Sequence, residues 1–525
     1  MLVVTAQQMQ NMDHHTIDTI GIPGQVLMES AGRGAFDFLM EELEPDQETL
    51  VAVMAGRGNN GGDGFVMARY LMEAGIPVSV YLLSSADKLT GDAKTNYHRV
   101  KTLLPHAPHA DLVEIPDAEA LAAHYDQLLD QDLFIDAILG TGLNAPVRGL
   151  YKEAIELMNT SGAPIFAVDI PSGLNADTGQ PMGTASRAVA TASFAHAKAG
   201  HILHPGNEYT GELAVINIGI PQFVTEMFTA QAPPITLMEA DDVLSLFPRR
   251  HFNSHKGSFG HLLILAGAPG KSGAAALAAR GALRCGTGLV TLGVPEGLHP
   301  ALEPSLVEPM TAPLAQTALG GLSTAALPAI QELIMDKMAL ALGPGIGTEK
   351  ETQTLVKTLV ADCRLPLVLD ADGLNCIADD LSCLTTAKAP RILTPHPGEM
   401  ARLMGKSTEE IQKNRPETAR EFASDHKVIL VLKGAQTLVA LPDGSLHLCP
   451  TGNPGMATGG MGDVLTGMIA GLLAQGFSPE NAALAGVFLH GMAGDFLETH
   501  QSRFGFLASE LADALPLTLE EYLEV

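Results

Sequence analysis

Residues 50–64 read Leu50-Val51-Ala52-Val53-Met54-Ala55-Gly56-Arg57-Gly58-Asn59-Asn60-Gly61-Gly62-Asp63-Gly64, and FVMARYLMEAG (65–75) follows without a break. A short apolar run, a glycine turn and a stretch of helical period make one strand–turn–helix unit. Gly56, Gly58 and Gly61 form a GxGxxG within it. Glycines at such a turn allow close backbone approach, and the helix start offers unpaired N–H groups to a phosphate. An ordinary dinucleotide fold also wants an acidic residue about 20 positions on, closing the second strand. Here the second strand ends YLLSSAD, and Asp87 lies further away than that. The segment NNGGDG also carries two amides and a carboxylate that a plain pyrophosphate turn does not need. A tight turn with Asp63 as a helix cap is the plainer alternative.

Working outward, the same rhythm repeats. VSVYLL (78–83), LFIDAILG (133–140), PIFAVDIPSG (164–173) and LAVINIG (213–219) are apolar runs closed by polar or glycine-rich loops. They read as buried parallel strands joined by helical crossovers, a doubly wound sheet. The pattern breaks at AQAPPITLMEADDVLSLFPRR (230–250), which places a domain boundary there. The domains are taken as 1–228 and 229–525. A second series follows: HLLILAG (261–267), LVTLGVP (289–295), MALALGPG (338–345), LPLVLDADG (365–373), RILTPHPGE (391–399), KVILVLKG (427–434) and TLVAL (437–441). From Gly459 a small-residue segment leads into VLTGMIAGLLAQG, which reads as a buried helix. No short tandem repeat is present, which excludes a solenoid or propeller reading.

Composition narrows the function. The chain has 525 residues, 46% hydrophobic and 17% charged, which suits packed domains and not a disordered chain. Its formal net charge of −28 makes it a poor general binder of nucleic acid or of anionic membrane. Anionic ligands would have to be held locally, by backbone N–H groups and a few placed cations. The five cysteines (285, 363, 376, 383, 449) form no CxxC pair, so neither a disulfide framework nor a zinc site is expected. The first 15 residues have no basic start and only a three-residue apolar run, unlike a secretory signal. No apolar run reaches about 18 residues, so no transmembrane helix is expected, and a cytoplasmic protein follows.

In the first half, Asp136 ends one strand ahead of the turn Gly140-Thr141-Gly142, and Asp169 and Ser172 end the next. Asn60, Asp136 and Ser172 can converge as hard oxygen ligands; without His or Cys they favour an alkali or alkaline-earth cation over zinc. Lys198, in TASFAHAKAGHILHPG, belongs near the mouth of the same sheet. Asp169 and Lys198 are candidates for acid/base work, with a helix cap and a solvated lysine as the alternatives.

The run GxGNNGGDG, then DAxxGTG, VDIPSG and a K-G-H element, together with LMESAGRG (27–34), resembles the NAD(P)H-hydrate epimerase domain over roughly residues 1–220. The resemblance implies a Rossmann-like three-layer sandwich, a potassium ion, and interconversion of the R and S hydrates of NADH or NADPH. It implies that Asn59, Asn60, Gly61, Gly62 and Asp63, with Gly140, Thr141, Gly142, Leu143, Asn144, Ala145 and Pro146, hold the hydrate. Potassium would sit on Asn60, Asp136 and Ser172; Asp169 would contact substrate, with Lys198 as its acid/base partner.

The second half contains two imperfect phosphate-loop patterns. Gly270-Lys271-Ser272 lacks the required glycine at Leu265, and LMGKS (403–407) lacks it at Met400. The stronger pattern is NPGMATGGMGDVLTGMIAG from Asn453, where Gly455, Gly459, Gly460 and Gly462 precede Asp463 at a helix start. Such a turn gathers N–H groups into an anion hole beside a carboxylate able to accept a proton from a hydroxyl. The alternative is an Asp cap on a buried helix. KGAQT (433–437) suits nucleotide phosphates, GPGIG (343–347) lets backbone approach a ligand, and DADGLN (370–375) places two carboxylates near magnesium or as turn caps. TPHPGE (394–399) brings His396 and Glu399 to a strand end, where a lone His is more often a satisfied loop residue.

From about Ser254 to the C-terminus these motifs occur in the order of the NAD(P)H-hydrate dehydratase family, which the segment resembles within the ribokinase-like superfamily. The resemblance implies a ribokinase-like α/β domain that phosphorylates the C6 hydroxyl of the S hydrate at Asp463 and then expels phosphate. It implies ADP as donor, in the bacterial manner, with Mg2+. Lys433, Gly434, Ala435, Gln436, Thr437 and Gly462 would contact nucleotide; Gly345, His396 and Asp463 would contact the hydrate. Partners are then small molecules, the hydrates and ADP, with no nucleic acid or membrane, and self-association into a homo-oligomer. Two rival readings stand beside this: a hydroxymethylpyrimidine- or hydroxyethylthiazole-type kinase with a regulatory N-terminal half, and an N-terminal half that is a non-catalytic scaffold.

Overall fold

The computed structural model describes residues 1–230 and 233–522. The chain divides into two compact units, one spanning Leu2–Pro234 and the other beginning at Ile235. Among the described residues no helix is long and apolar enough to cross a membrane.

The first unit is built on a seven-stranded sheet in the order Ala110–Glu114, Val78–Leu82, Val51–Ala55, Leu133–Ala137, Ile165–Val168, Ala190–Phe194, Glu212–Ile216, parallel throughout. Alternate residues of one strand face opposite layers. Val51, Val53 and Ala55 pack with Phe65, Leu71 and the helix Gly24–Glu42, while Ala52 and Met54 pack with Phe134, Ile155 and Met158. The result is the expected three-layer sandwich. The glycine turn is tight enough to exclude side chains: a Cβ on Gly61 would lie 1.9 Å from the Gly56 carbonyl oxygen, and one on Gly56 would lie 2.0 Å from that of Ile138.

Ten strands form the sheet of the second unit, ordered Met310–Leu314, Leu289–Pro295, His261–Leu265, Ala339–Leu342, Leu367–Leu369, Arg391–Leu393, Ile429–Leu432, Leu438–Ala440, Leu446–Leu448, Ile235–Leu237. The first seven are parallel, Leu438–Ala440 is antiparallel to both neighbours, and the last pair is parallel. The helix after Gly460, Met461–Ala474, is buried almost all round, as its apolar sequence requires. It crosses Ser272–Arg284 at backbone contact, where a Cβ on Gly467 would stand 1.9 Å from the Ala278 carbonyl oxygen.

Of the seventeen strands given above, five lie outside the apolar runs seen in the sequence: Ala110–Glu114, Ala190–Phe194, Ile235–Leu237, Met310–Leu314 and Leu446–Leu448. Ala110–Glu114 and Met310–Leu314 are edge strands with polar or proline residues. ATASF (190–194) is fully buried, but its small side chains carry no hydrophobic signal.

Candidate functional site

At the C-terminal ends of Val51–Ala55, Leu133–Ala137, Ile165–Val168 and Ala190–Phe194 lies a cleft of about 600 Å3. Asn59, Asn60, Asp63, Gly140, Thr141, Gly142, Leu143, Asn144, Ala145, Asp169 and Lys198 line it. Gly61 and Gly62 sit behind the turn, against Gly56 and Met28, and Pro146 stands outside the lining. The chain leaves Val168 and turns at Asp169, whose φ of 64° is left-handed and strained for a residue with a Cβ. Lys198, wholly buried, donates from Nζ to Asp169 Oδ1 at 2.5 Å, Ser193 Oγ at 3.0 Å and the Phe194 carbonyl at 3.1 Å. A buried lysine so paired is fixed in direction and is neither solvated nor free to swing.

Two further acids face this pair. Asp63 lies inside the helix Asn59–Ala74, whose N-cap is Gly58, so it does not cap; burial pushes its carboxyl well above the ordinary range, and Asp169 and Asp13 push the same way. Asp13 enters from the helix Ala6–His14, and burial, with Asp169 adding, raises its pKa to about 6. Its companions Lys198 and His14 work in the opposite direction. Next to Lys198, burial pushes His201 down to about 3, which keeps it neutral; its Nδ1 accepts the Lys198 backbone N–H at 3.2 Å.

Below the cleft, Asp136 is fully buried. It accepts from Ser172 N at 2.8 Å, Ser172 Oγ at 2.6 Å and the Ser186 hydroxyl. Burial raises its pKa, against those hydrogen bonds. Ser172 in turn binds Leu139 N at 2.8 Å, just ahead of the Gly140 turn, and a Cβ on Gly140 would be 3.5 Å from Asn60 Cβ. Both polar atoms of the Asn60 side chain are buried without a partner. An orphaned amide beside a buried carboxylate and a hydroxyl is a donor set that fits an alkali cation.

In the second unit the helix Met461–Ala474 begins on Gly460, left-handed at φ 94°, so Asp463 sits in the first turn. Burial raises Asp463 to about 6, with Asp370 adding and Lys433 opposing. Lys433 Nζ donates to Asp370 Oδ1 at 2.7 Å and stands 4.0 Å from Glu399 Oε2. Burial opposes the lysine's charge, but Asp370 and Glu399 hold its pKa above the ordinary value. Gly462 is where the helix start meets this group: a Cβ there would lie 3.2 Å from Lys433 Nζ. Asp370 also accepts from Thr394 Oγ1 at 2.7 Å, and Asp372 pairs with Lys271 at 2.7 Å and with Gly347 N at 3.0 Å. Both carboxylates of DADGLN are thus engaged. His396 caps the helix Pro397–Met404, its Nδ1 accepting from Gly398 N and Glu399 N. Lys271 and Gly345 meet, the Gly345 Cβ position lying 2.9 Å from Lys271 Cβ.

Two family models match, one described as YjeF-related protein N-terminus over residues 24–200 and one as NAD(P)H-hydrate dehydratase over 262–517. The chain is 41% identical to the bifunctional NAD(P)H-hydrate repair enzyme Nnr of Moorella thermoacetica, over 100% of this chain and 98% of that one. It is 37% identical to the enzyme of that name from Thermofilum pendens, over 100% and 97%. The ADP/ATP-dependent NAD(P)H-hydrate dehydratase of Bacillus subtilis, co-crystallised with ATP/Mg2+, is 35% identical over 55% of this chain and 98% of that chain, at a TM-score of 0.47. The chain belongs to the bifunctional NAD(P)H-hydrate repair enzymes.

In this repair enzyme the N-terminal lining residues and the pair Asp169–Lys198 come together, while Gly61, Gly62 and Pro146 shape the turns from outside. Asp463, Gly462 and Lys433 likewise share one spot. Two residues, Asp13 and Arg415, escaped the sequence analysis, and the partner of a third, Glu399, was not legible in it. Asp13 has no glycine turn beside it, only a polar helix with two histidines. Glu399 was visible in HPGE, but nothing there shows that it packs against Lys433. Arg415, buried on the helix just before the strand Ile429–Leu432, donates to the carbonyls of Leu432, Lys433 and Ala435 and so holds the KGAQT loop, which turns through Gln436 at φ 47°.

Proposed function

We propose that the first unit epimerises the R and S hydrates of NADH and NADPH and that the second dehydrates the S hydrate with ADP as phosphoryl donor, yielding AMP and phosphate. The observation that carries this is the pairing, in each unit, of a part-buried lysine–aspartate couple with a raised-pKa acid: Lys198–Asp169 with Asp13, and Lys433–Asp370 with Asp463.

In the first cleft, Asp169 held by Lys198 is the base and Asp13, near pKa 6, the acid. Asp13 gives its proton to the departing C6 hydroxyl; the C–O pair leaves with water, and the ring nitrogen lone pair closes a double bond to C6. Water adds to the opposite face and loses its proton to Asp169, and exchange with solvent or the reverse turnover resets both acids. Asn60, Asp136 and Ser172 would hold K+, which supplies positive charge beneath the cleft when bound.

In the second, Asp463 accepts the proton of the C6 hydroxyl as its oxygen attacks the terminal phosphoryl group. The N–H groups at the start of Met461–Ala474 and Lys433 stabilise the charge that develops. The ring nitrogen lone pair then expels phosphate, a far better leaving group than hydroxide. Among the described residues no cluster of three or more His, Cys, Asp or Glu is placed to hold a metal, which suits Mg2+ carried by the nucleotide phosphates. A cytoplasmic site of action and self-association belong to the same reading; five unpaired buried cysteines support the former.

The test uses the full chain with NADH hydrate, K+, Mg2+ and either ADP or ATP, following recovery of reduced-nicotinamide absorbance. Complete recovery of an R/S mixture with ADP is expected. Recovery that stops at the S fraction overturns the epimerase assignment, and a stable phosphorylated alcohol with no recovery overturns the dehydratase.

A further inference from the structure

A second cavity of about 280 Å3 opens beside the first cleft and shares Arg57 and Tyr151 with it. Arg57, Lys88 and Arg148 all line it, and no carboxylate does. Among the described residues none of the three takes part in an ion pair, whereas Arg33, Arg69, Arg99, Lys152 and Lys198 of this unit each pair with a carboxylate. Asp87, the neighbour of Lys88, is held below the ordinary carboxylate range first by its hydrogen bond to Ser85 and more weakly by the charge of Lys88, and it stands outside the cavity lining. The cations come from three different strand ends: Arg57 from the glycine turn, Lys88 from the loop after Val78–Leu82, Arg148 from the segment before the helix Gly149–Ser161. That 13-residue helix starts in the cavity wall with Leu150 and Tyr151, and no side chain caps it. Its unpaired N–H groups and the positive end of its dipole therefore add to three unpaired cations. In a chain of net charge −28 three cations on one cavity offer an anion a local site against the overall field.

The neighbouring cleft has the opposite character: Asp13, Asp63, Asp92 and Asp169 line it with Lys198. Carboxylates suit proton transfer at a nicotinamide ring but repel phosphates. A hydrated dinucleotide bound there needs its phosphoryl groups held next door, and the shared wall at Arg57 and Tyr151 connects the two spaces. We propose that the Arg57–Lys88–Arg148 cavity is the phosphoryl subsite of the hydrate whose ring reacts in the cleft. This rests on the epimerase reading. The anion bound is the diphosphate bridge, common to both hydrates, or the 2′-phosphate, present in NADPH hydrate alone.

The test compares the native full chain with Lys88→Ala, Arg148→Ala and the double variant. With nucleotide omitted the dehydratase is silent, and chromatography of the R and S epimers reads the epimerase. Each cation removed should raise KM by roughly three- to tenfold, with a much smaller effect on kcat, because a charge-assisted contact is lost while the acid/base pair stays. Dehydration of S hydrate at saturating ADP should be unaltered, which reports intact folding. A KM rise for both hydrates assigns the diphosphate; a rise for NADPH hydrate alone assigns the 2′-phosphate. In parallel, inorganic pyrophosphate is titrated into native and double-variant chains by calorimetry, and binding heat should fall in the variant. Unchanged KM with unchanged heat overturns the subsite. A native chain that interconverts no epimers, yet loses pyrophosphate heat in the variant, overturns the epimerase reading and leaves the anion cavity standing.

Discussion

Asp169 and Asp13 differ in what stands beside them. Lys198 holds Asp169 at 2.5 Å, while Asp13 has burial and a neighbouring carboxylate against it and sits near pKa 6. Asp169→Asn should reduce R-to-S interconversion by about 100-fold or more and leave S-hydrate dehydration intact, read by paired epimer and absorbance assays. Asp13→Asn should lower interconversion too and remove its decline above about pH 6, since the donor form is the protonated one. A stability consequence accompanies this. The folded pKa of Asp13, about 6, exceeds the ordinary 3.8, so the folded state keeps a proton that the unfolded chain has lost, and stability falls as pH rises between those values. At pH 7 Asp13→Asn should stabilise the first unit by about 1–3 kcal/mol, measured as slower hydrogen exchange in Val51–Ala55. For Asp463 the proposed role works the other way: a base near pKa 6 must be ionised, so dehydration should fall about tenfold per pH unit below 6 and vanish in Asp463→Asn, with epimerisation unaffected.

At the scale of elements, each site depends on a helix start brought close to a strand end. Met461–Ala474 carries Asp463 toward Lys433, and it can do so because small residues let it lie backbone to backbone on Ser272–Arg284. Gly467→Ala would force its Cβ into the Ala278 carbonyl, a contact between two backbones that neither side can relieve by rotation. The expected cost is about 2 kcal/mol or more, with dehydration impaired and epimerisation retained in the same preparation. A normal dehydration rate in that variant would show that the helix can shift without moving Asp463. The sequence revealed both glycine turns and both helix starts. Ala190–Phe194 stayed hidden, since a strand of small residues has no periodic apolar signal, yet its end supplies Phe194, whose carbonyl helps hold Lys198.

On the scale of the whole chain, two sites with different needs occupy two separately built units. Replacing K+ by a cation that oxygen ligands hold poorly, such as tetramethylammonium, should slow conversion of R hydrate and spare S hydrate, because Asn60, Asp136 and Ser172 belong to the first unit alone. Equal losses of both activities would place the cation dependence elsewhere.

What could be read in the linear chain was everything carried by local pattern. Apolar runs closed by glycine loops declare a doubly wound sheet because backbone geometry forces loops to the strand ends, and GxGNNGGDG and GMATGGMGD mark turns because only glycine fits such close approach. Distance between segments was beyond that reach. Asp13 meets Asp169, Glu399 meets Lys433, Arg415 props the loop of Gln436, and Arg57, Lys88 and Arg148 share one cavity only after the sheet has ordered its strands. Charge, burial and the pKa values they set are properties of neighbours in space, and those neighbours are chosen by folding.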